Sequence, residues 1–388
     1  MINPNLKEIY LNELKNEVLP FWMKHSLDHS VGGYYTCLGR HGEVYDTDKF
    51  IWLQARQVWL FSYMYEHLEA NDTYIEIAEL GASFLAKYGH SDTYDWFFSL
   101  TREGNPLVQP YNIFSNTFAS LAFGQLGKVT KNNDYLDLSL KTYKRIQERT
   151  DNPKGIYNKL YPNTRDLKNF ALPMIMCNLT HELSFILPTN NVQSFTDELI
   201  KSIFSEFYHE EYDVILENVY TDGSFSDSFE GRLVNPGHVL EAMWFIMDIA
   251  HDKGDDALIE KSVKLILRMI DYGWDEKYGG IFYFKDILEK PMQQLEWDQK
   301  LWWVHLEALV ALIKAYEYTR NKDCLDWFYK VHDYAWSHFR DADFGGEWYG
   351  YLNREGKVLN SSKGGKWKGC FHTPRALFQI QRSLSNCR

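Results

Sequence analysis

The sequence lacks the features that mark several large classes of protein. No apolar run of about 18 residues occurs in its 388 positions, and the first segment, MINPNLKEIYLNELKNEVLPFW, has no continuous apolar stretch of the signal-peptide kind. We therefore expect no membrane-spanning segment and a cytoplasmic protein. Basic residues number 41 against 53 acidic ones, giving a net charge of −12. They are scattered along the chain, so we expect no nucleic-acid partner.

Cysteine is also scarce, and its spacing excludes two further classes. The five cysteines are odd in number, far apart, and contain no CxxC pair: Cys37, Cys177, Cys324, Cys370 and Cys387. A disulfide framework needs an even set, and a structural zinc site needs closely spaced ligands. We expect neither of these, and we expect no metal in the functional site.

Aromatic residues are abundant, at 16% of the chain, with 13 Trp and 26 Tyr. Their flat apolar faces and polar edges suit clefts that bind sugars. The same composition is equally typical of a large aromatic core. Both interpretations stay open at this point.

An internal repeat organises the chain. Three clear copies open with Gly-Gly followed by alternating aromatic residues, and they begin at Gly32, Gly279 and Gly345. Weaker copies begin near Asp95, Gly155 and Asp213. Six copies at a period of about 60 to 66 residues indicate a repeat architecture in which each unit ends in a helix.

Each repeat carries two helical patterns, one amphipathic and one apolar nearly all round. The predicted pairs are 5–23 and 48–69, 73–88 and 111–127, 131–148 and 168–187, 192–208 and 235–254, 256–273 and 298–319, and 322–338 and 373–385. Twelve helices in six hairpins predict an all-α fold, an (α/α)6 barrel with short β-hairpin inserts at the active-site rim. We expect residues 1–388 to form one catalytic domain.

The apolar helices share a start signal after the strand-turn insert. Asp48, Asn235-Pro236, Asp298 and Thr373-Pro374 are typical helix-capping positions. If the inner helices are all entered from one side, their N-termini converge on one mouth of the barrel. We expect the functional site there.

Two histidines lie at these helix starts. His238 follows Asn235-Pro236, and His372 directly precedes Thr373-Pro374. The positive end of a helix dipole disfavours imidazolium, which helps to keep a histidine available as a base. Glu241, three residues after His238, is predicted to orient its imidazole. A single buried histidine is often structural, but a matched pair favours catalysis.

Further polar residues fall on inner-helix positions that are costly to bury without partners. They are Arg56, Asn178, Glu182, His305 and Glu307, with Trp303 on the same helix face as Glu307. A buried ion pair between Arg56 and Glu307 that only holds two helices together is the structural alternative. His181 and His305 are offset from this set and are also placed to face neighbouring helices.

The segment KGGKWKG, from Lys363 to Gly369, lacks the GxxxxGK[ST] spacing of a phosphate-binding P-loop. We expect a rim loop instead, in which Trp367 supplies a stacking wall. Lys363, Lys366 and Lys368 are candidates to hold nucleotide phosphates by charge.

The segments WLQARQVW, LVQPYNIF, FEGRLVNPGHVLEAMWF, LEWDQKLWWVHLEAL and GGKWKGCFHTPRAL together resemble the N-acylglucosamine 2-epimerases, known in animals as renin-binding protein. The resemblance covers essentially the whole chain in order and spacing. It implies an (α/α)6 barrel, a homodimer, and interconversion of N-acetylglucosamine and N-acetylmannosamine without a metal or redox cofactor. It also implies ATP as an activator that is not consumed.

Residue by residue, the resemblance places the acid/base pair on His238 and His372, with Arg56 and Glu307 as further functional residues. It matches a second set to cleft positions shared with cellobiose 2-epimerases, namely Glu241, Trp303, Trp367, Tyr111 and Asn178. Those enzymes have a histidine four residues after the asparagine, where this chain has Glu182. The departure argues against cellobiose as substrate.

The implied chemistry opens the sugar ring, removes the C2 proton with one histidine, and returns a proton from the other. Arg56 is predicted to stabilise either the enolate oxygen or the aldehyde. Three alternatives stay open: an aldose-ketose isomerase or other sugar 2-epimerase on the same fold, an inverting glycoside hydrolase using Glu182, Glu241 and Glu307, and a non-catalytic binding protein.

Overall fold

The computed structural model describes residues 2–161 and 164–387, and α-helices make up most of its regular structure. In chain order the helices are α1 Leu6–Glu13, α2 Leu19–His25, α3 Ile51–His67, α4 Asp72–Tyr88, α5 Phe114–Thr130, α6 Asn133–Glu148, α7 Ala171–Glu182, α8 Thr189–Ser202, α9 Pro236–Lys253, α10 Asp256–Gly273, α11 Trp302–Thr319, α12 Lys322–His338 and α13 His372–Asn386. Within these described ranges, no helix is long and apolar enough to cross a bilayer.

The strands are short and pair locally. They are β1 Cys37–Leu38, β2 Val44–Asp46, β3 Lys49–Phe50, β4 Ser99–Leu100, β5 Pro106–Val108, β6 Leu167–Asn169, β7 Tyr208–His209, β8 Val214–Ile215, β9 Asn218–Tyr220, β10 Leu233–Val234, β11 Lys285–Asp286, β12 Lys300–Leu301, β13 Tyr351–Leu352 and β14 Val358–Asn360. All described pairings are antiparallel: β1-β2, β3-β4-β5, β6-β9, β7-β8, β10-β11 and β12-β13-β14.

The chain divides into two compact units. The first unit comprises Met1–Leu14, Leu160–Asn360 and Ala376–Arg388, and the second comprises Lys15–Lys159 and Ser361–Arg375. His238 belongs to the first unit and His372 to the second.

The first unit is built on α9 and α11, which pack against each other. Most residues of these two helices are buried, whereas their partners α10 and α12 bury one face only. The second unit repeats this division, with α3 and α5 almost wholly buried and α4 and α6 amphipathic. These burial patterns confirm the predicted division into inner and outer helices. A helix that is apolar on nearly all faces must be covered on most sides.

Several predicted helix boundaries are wrong. Asp48 and Asp298 do not cap the inner helices that follow them, because Lys49–Phe50 and Lys300–Leu301 first form strands β3 and β12. The predicted helix 5–23 is divided by a π-helical turn, Leu14–Val18. Part of the weak repeat copy from Gly155 falls on residues 162–163, outside the described residues.

The repeat is visible as a buried ion pair in each unit. Nζ of Lys49 lies 3.1 Å from Oδ2 of Asp28 in the second unit, and Nζ of Lys300 lies 3.2 Å from Oδ2 of Asp275 in the first. All four side chains are almost completely buried. Each aspartate starts the loop that contains the Gly-Gly pair, so the lysine fixes that loop to the strand preceding an inner helix.

Candidate active site

His238 lies in the first turn of α9. Asn235 caps this helix by accepting a hydrogen bond from the backbone N–H of His238 at 3.2 Å, and Pro236 occupies the first helical position. This start was predicted from the sequence and is confirmed. The imidazole keeps 26% of its surface exposed, so a small molecule can reach it.

The imidazole of His238 is held by Glu217, a residue that sequence reasoning missed. Nδ1 of His238 lies 3.0 Å from Oε1 and 3.1 Å from Oε2 of Glu217. The Glu217 side chain is only 8% exposed. It lies between strands β8 and β9, 21 positions before the histidine. The carboxylate on Nδ1 belongs to Glu217, and the orienting role of Glu241 stays a prediction.

Asn169 ties the Glu217 segment to the start of α7. Its Nδ2 donates to Oε1 of Glu217 at 3.3 Å and to the backbone carbonyl of Glu217 at 3.2 Å. Its Oδ1 accepts from the backbone N–H of Ala171 at 2.9 Å. The backbone N–H of Phe170 also donates to the Glu217 carbonyl at 2.9 Å. The carboxylate on His238 is therefore anchored by both side-chain and backbone bonds.

One aromatic side chain adjoins the histidine, and a second packs on the first. The ring centroid of Trp303, in the first turn of α11, lies 5.3 Å from that of His238. Tyr283 packs edge-on against Trp303 at 6.1 Å and 88°. Burial and the nearby Glu217 carboxylate raise the pKa of Tyr283, so its phenol stays protonated at neutral pH. Trp303, a predicted cleft residue, thus lies beside the candidate base His238.

Glu241 and Glu307 lie on the facing helices α9 and α11 and are both buried. A carboxylate oxygen of one lies within 4.8 Å of a carboxylate oxygen of the other. Nε1 of Trp244 donates to Oε2 of Glu307 at 2.9 Å. Two carboxylates this close in a buried region are costly unless donors such as the Trp244 indole compensate them.

The structure corrects the prediction that His305 binds the substrate. Its ring is completely buried, its Nδ1 donates to the carbonyl of Leu301 at 2.7 Å, and its Nε2 accepts from the backbone N–H of Ile281 at 2.9 Å. Burial lowers the pKa of His305 to about 3. With both nitrogens engaged by backbone groups, His305 connects α11 to the Gly-Gly loop and is not available to bind a sugar.

Asn178 and Glu182 lie one turn apart on α7, and both are half-buried. Glu182 is the last residue of α7, about 16 Å along the helix axis from its start, where Asn169 contacts Glu217. The adjacent His181 pairs with Asp252, in the last turn of α9, at 3.6 Å. The substrate-binding roles of Asn178 and Glu182 stay predictions.

In the second unit, His372 is the first residue of α13 and is 8% exposed. Nη2 of Arg375, one turn later, lies 3.5 Å from Nδ1 of His372, at the limit of hydrogen-bond distance. The guanidinium of Arg375 also lies over the ring of Phe371, with its central carbon 4.4 Å from the ring centroid. His372 therefore has a basic neighbour at Nδ1, whereas His238 has an acidic one.

Arg56 is almost completely buried on α3, among aromatic rings. Its guanidinium carbon lies 4.4 Å from the ring centroid of Trp52, 3.9 Å from that of Phe118 and 4.5 Å from that of Phe371. Cation–π contacts with desolvated rings hold such a charge in one place. Arg56 is thus held beside Phe371, the residue immediately before His372.

Tyr111 and Trp367 belong to one aromatic cluster around Phe98. The ring centroid of Phe98 lies 5.2 Å from that of Tyr111 and 5.8 Å from that of Trp367, and Trp367 also contacts Trp52 at 6.0 Å. Trp367 is 52% exposed, which leaves much of its surface free of protein contact. That exposure fits the stacking wall expected of the KGGKWKG segment.

The lysines of this segment are placed differently from the prediction. Lys363 and Lys368 are buried, and Nζ of Lys368 donates to the carbonyl of Lys363 at 2.8 Å. Lys366 is exposed, with its Nζ 5.2 Å from the ring centroid of Trp367. The prediction that all three lysines hold nucleotide phosphates is therefore wrong for Lys363 and Lys368, which brace the loop from inside.

Known proteins resemble this chain over nearly its whole length. Residues 33–376 match the family described as N-acylglucosamine 2-epimerase (GlcNAc 2-epimerase). The N-acylglucosamine 2-epimerase of Bos taurus is 36% identical over 388 aligned residues, which cover 96% of this chain and 89% of the relative. Both candidate histidines lie within the matched range.

Solved structures show the same fold. The cellobiose 2-epimerase of Bacillus thermoamylovorans B4167 superposes with a TM-score of 0.84 at 22% identity, covering 98% of this chain and all of that one. A D-mannose isomerase superposes with a TM-score of 0.83 at 17% identity and 98% coverage of both chains. The predicted fold class, an all-α (α/α)6 barrel with short strand inserts, is confirmed.

Proposed function

Because this chain belongs to the N-acylglucosamine 2-epimerase family, we propose that it interconverts N-acetyl-D-glucosamine and N-acetyl-D-mannosamine. The chain is an enzyme of the isomerase class, and the substrate pair is our inference from the names of its relatives. The observation that carries the proposal is the placement of His238: a partly exposed imidazole in the first turn of a buried helix, beside Trp303.

The chemistry explains why an imidazole suits this position. Opening the pyranose ring leaves an aldehyde at C1, which makes the C2 proton acidic. One imidazole takes that proton, the electron pair moves into an enolate, and an imidazolium then returns a proton to the opposite face of C2. A general acid or base of this kind contributes about 10²- to 10⁴-fold to the rate. We assign the two proton transfers to His238 and His372.

The remaining residues receive supporting roles in this proposal. Arg56, fixed among three aromatic rings, supplies a positive charge to the developing enolate oxygen. Trp303 and the exposed Trp367 offer apolar faces to the sugar. The buried pair Glu241 and Glu307 provides acceptors for sugar hydroxyls. Tyr111, Asn178 and Glu182 complete the proposed binding set.

No cofactor takes part in this chemistry. We further propose that ATP activates the enzyme without being consumed. Lys363 and Lys368 do not hold this ligand, because both side chains are buried. We also propose that residues 1–388 act as one catalytic domain, and that the enzyme is a cytoplasmic homodimer.

The substrate proposal is tested by product identification. Purified enzyme is incubated separately with N-acetylmannosamine, mannose and cellobiose, with and without ATP, and the products are separated by anion-exchange chromatography. We expect N-acetylglucosamine from the first sugar and far slower conversion of the other two. Fructose from mannose at a higher kcat/KM would favour an aldose-ketose isomerase and contradict the proposal.

A further inference from the structure

Glu217 holds the nitrogen of His238 that does not carry out proton transfer in our scheme. We propose that Glu217 is the positioning residue of this enzyme, which fixes His238 in the tautomer with a proton on Nδ1 and leaves Nε2 to exchange protons with the sugar. This inference rests on the proposed function, because it concerns the imidazole that we assign as acid and base.

The geometry of the pair supports a defined tautomer. Both carboxylate oxygens of Glu217 lie within hydrogen-bond distance of Nδ1, at 3.0 and 3.1 Å. An ionised carboxylate has no proton to donate and can only accept, so Nδ1 must be the donor. A neutral imidazole with its proton on Nδ1 carries its basic electron pair on Nε2. The contact thus selects the form that a base requires.

The carboxylate is itself held in position. Asn169 donates to Oε1 from its Nδ2, while its Oδ1 is engaged by the backbone N–H of Ala171, which determines which end of the amide faces Glu217. The backbone of Glu217 bonds on both sides, donating to the carbonyl of Leu233 at 2.8 Å and accepting from Phe170. Such support is typical of a partner that orients an imidazole.

The negative charge has a second effect. A carboxylate beside Nδ1 stabilises the imidazolium that forms after proton abstraction. The Glu217 side chain is 8% exposed, so solvent screens this interaction little. Glu217 therefore acts on the rate through His238 without contacting the sugar.

The matched variant is Glu217→Gln, which keeps the size of the side chain and removes its charge. We expect kcat to fall about 10- to 100-fold, the magnitude typical of orienting partners, with KM changed by less than about threefold. The acid limb of the pH–rate profile should move to lower pH, since His238 becomes easier to deprotonate. Glu217→Asp, which retains the charge, should recover part of the rate and return the acid limb toward its original position.

Glu230→Gln is the control, because Glu230 is a half-exposed carboxylate of the same unit that pairs with Arg165 at 3.2 Å. It should leave kcat and the pH profile unchanged. If Glu217→Gln behaves like Glu230→Gln, the positioning role is wrong. If Glu217→Gln does not fold, Glu217→Asp is compared with the wild type instead. An unchanged kcat in Glu217→Asp would contradict the positioning role of Glu217.

A second readout does not depend on activity. In ¹⁵N-histidine-labelled enzyme, the His238 signals are identified by their loss in His238→Asn. We expect a protonated Nδ1 and an unprotonated Nε2 in the wild type, and a change of this pattern in Glu217→Gln. A proton on Nε2 in the wild type would overturn the inference. Absence of epimerisation with the expected tautomer would instead contradict the proposed function alone.

Discussion

Nε1 of Trp244 donates a hydrogen bond to Oε2 of Glu307, and the two atoms are 2.9 Å apart. The bond joins α9 to α11 in the core of the first unit. It places an indole donor on one of two buried carboxylates, since Glu241 lies within 4.8 Å of Glu307. A buried carboxylate that loses a donor keeps the cost of desolvation without the compensating bond.

Trp244→Phe should therefore be costly although it keeps an aromatic ring. We expect the free energy of unfolding to fall by about 1 to 3 kcal/mol, and kcat to fall as Glu307 loses its fixed position. Urea unfolding and steady-state kinetics measure the two effects. Trp327→Phe, on the outer helix α12, is the control. Equal stability of the two variants would contradict the importance of the Trp244 bond.

The two proposed acid/base residues can be tested by His238→Asn and His372→Asn. Both positions are at helix starts, where asparagine is well tolerated, so the fold should persist. We expect each variant to lose at least about 100-fold in kcat for net epimerisation. Circular dichroism checks the fold. If a variant retains near wild-type turnover, the histidine that it lacks is not an acid/base residue of this reaction.

The buried His305 should make the enzyme sensitive to acid. Its pKa is lowered to about 3 in the folded protein, from 6.5 when unfolded. Between these values the unfolded chain binds a proton that the folded chain does not, so stability falls as pH falls from 6.5 towards 3. The slope from one such group approaches about 1.4 kcal/mol per pH unit.

His305→Gln removes this titration. We expect lower stability at pH 7, because the two backbone bonds are disturbed, but a shallower loss of stability between pH 6.5 and 4. Unfolding by guanidinium at several pH values measures both. His251→Gln, at an exposed position, is the control. An unchanged pH slope in His305→Gln would contradict the assignment of acid sensitivity to this residue.

Substitution of two lysines in the KGGKWKG segment should distinguish a buried structural lysine from an exposed one. Lys368→Ala removes a buried donor to the Lys363 carbonyl. The loss of about 1 to 2 kcal/mol, at an unfolding entropy of about 2.1 cal/mol/K per residue, should lower Tm by about 1 to 3 °C. Lys366→Ala, at an exposed position, should leave Tm unchanged. Differential scanning fluorimetry decides. Equal Tm values would show that Lys368 does not brace the loop.

The sequence predicted the parts of this structure that depend on local pattern. The apolar helices α9 and α11 are recognisable because few of their positions tolerate water, and Asn235-Pro236 marks the start of α9 by known capping chemistry. His238 follows from that start. What could be predicted from the sequence was therefore the fold class, the repeat and the histidine at the helix end.

The rest depends on contacts that the sequence pattern does not reveal. Glu217 lies in an unremarkable strand-like stretch, LENVY, and only tertiary folding brings it to His238. His305 bonds two backbone groups, which carry no side-chain signature. Lys368 lies in a Gly-rich segment, which is typical of an exposed loop. Its ammonium group is nevertheless buried and donates a hydrogen bond to the carbonyl of Lys363. None of these contacts has a periodic or local signal.

The central claim, removal and return of a proton at C2, is tested most directly by isotope incorporation. N-acetylmannosamine is incubated with the enzyme in D₂O, with ATP present, and the product is followed by ¹H NMR. The account predicts N-acetylglucosamine that carries deuterium at C2 from the first turnover, with no ketose formed. N-acetylglucosamine that retains its original C2 hydrogen, or no conversion and no exchange at all, would contradict it.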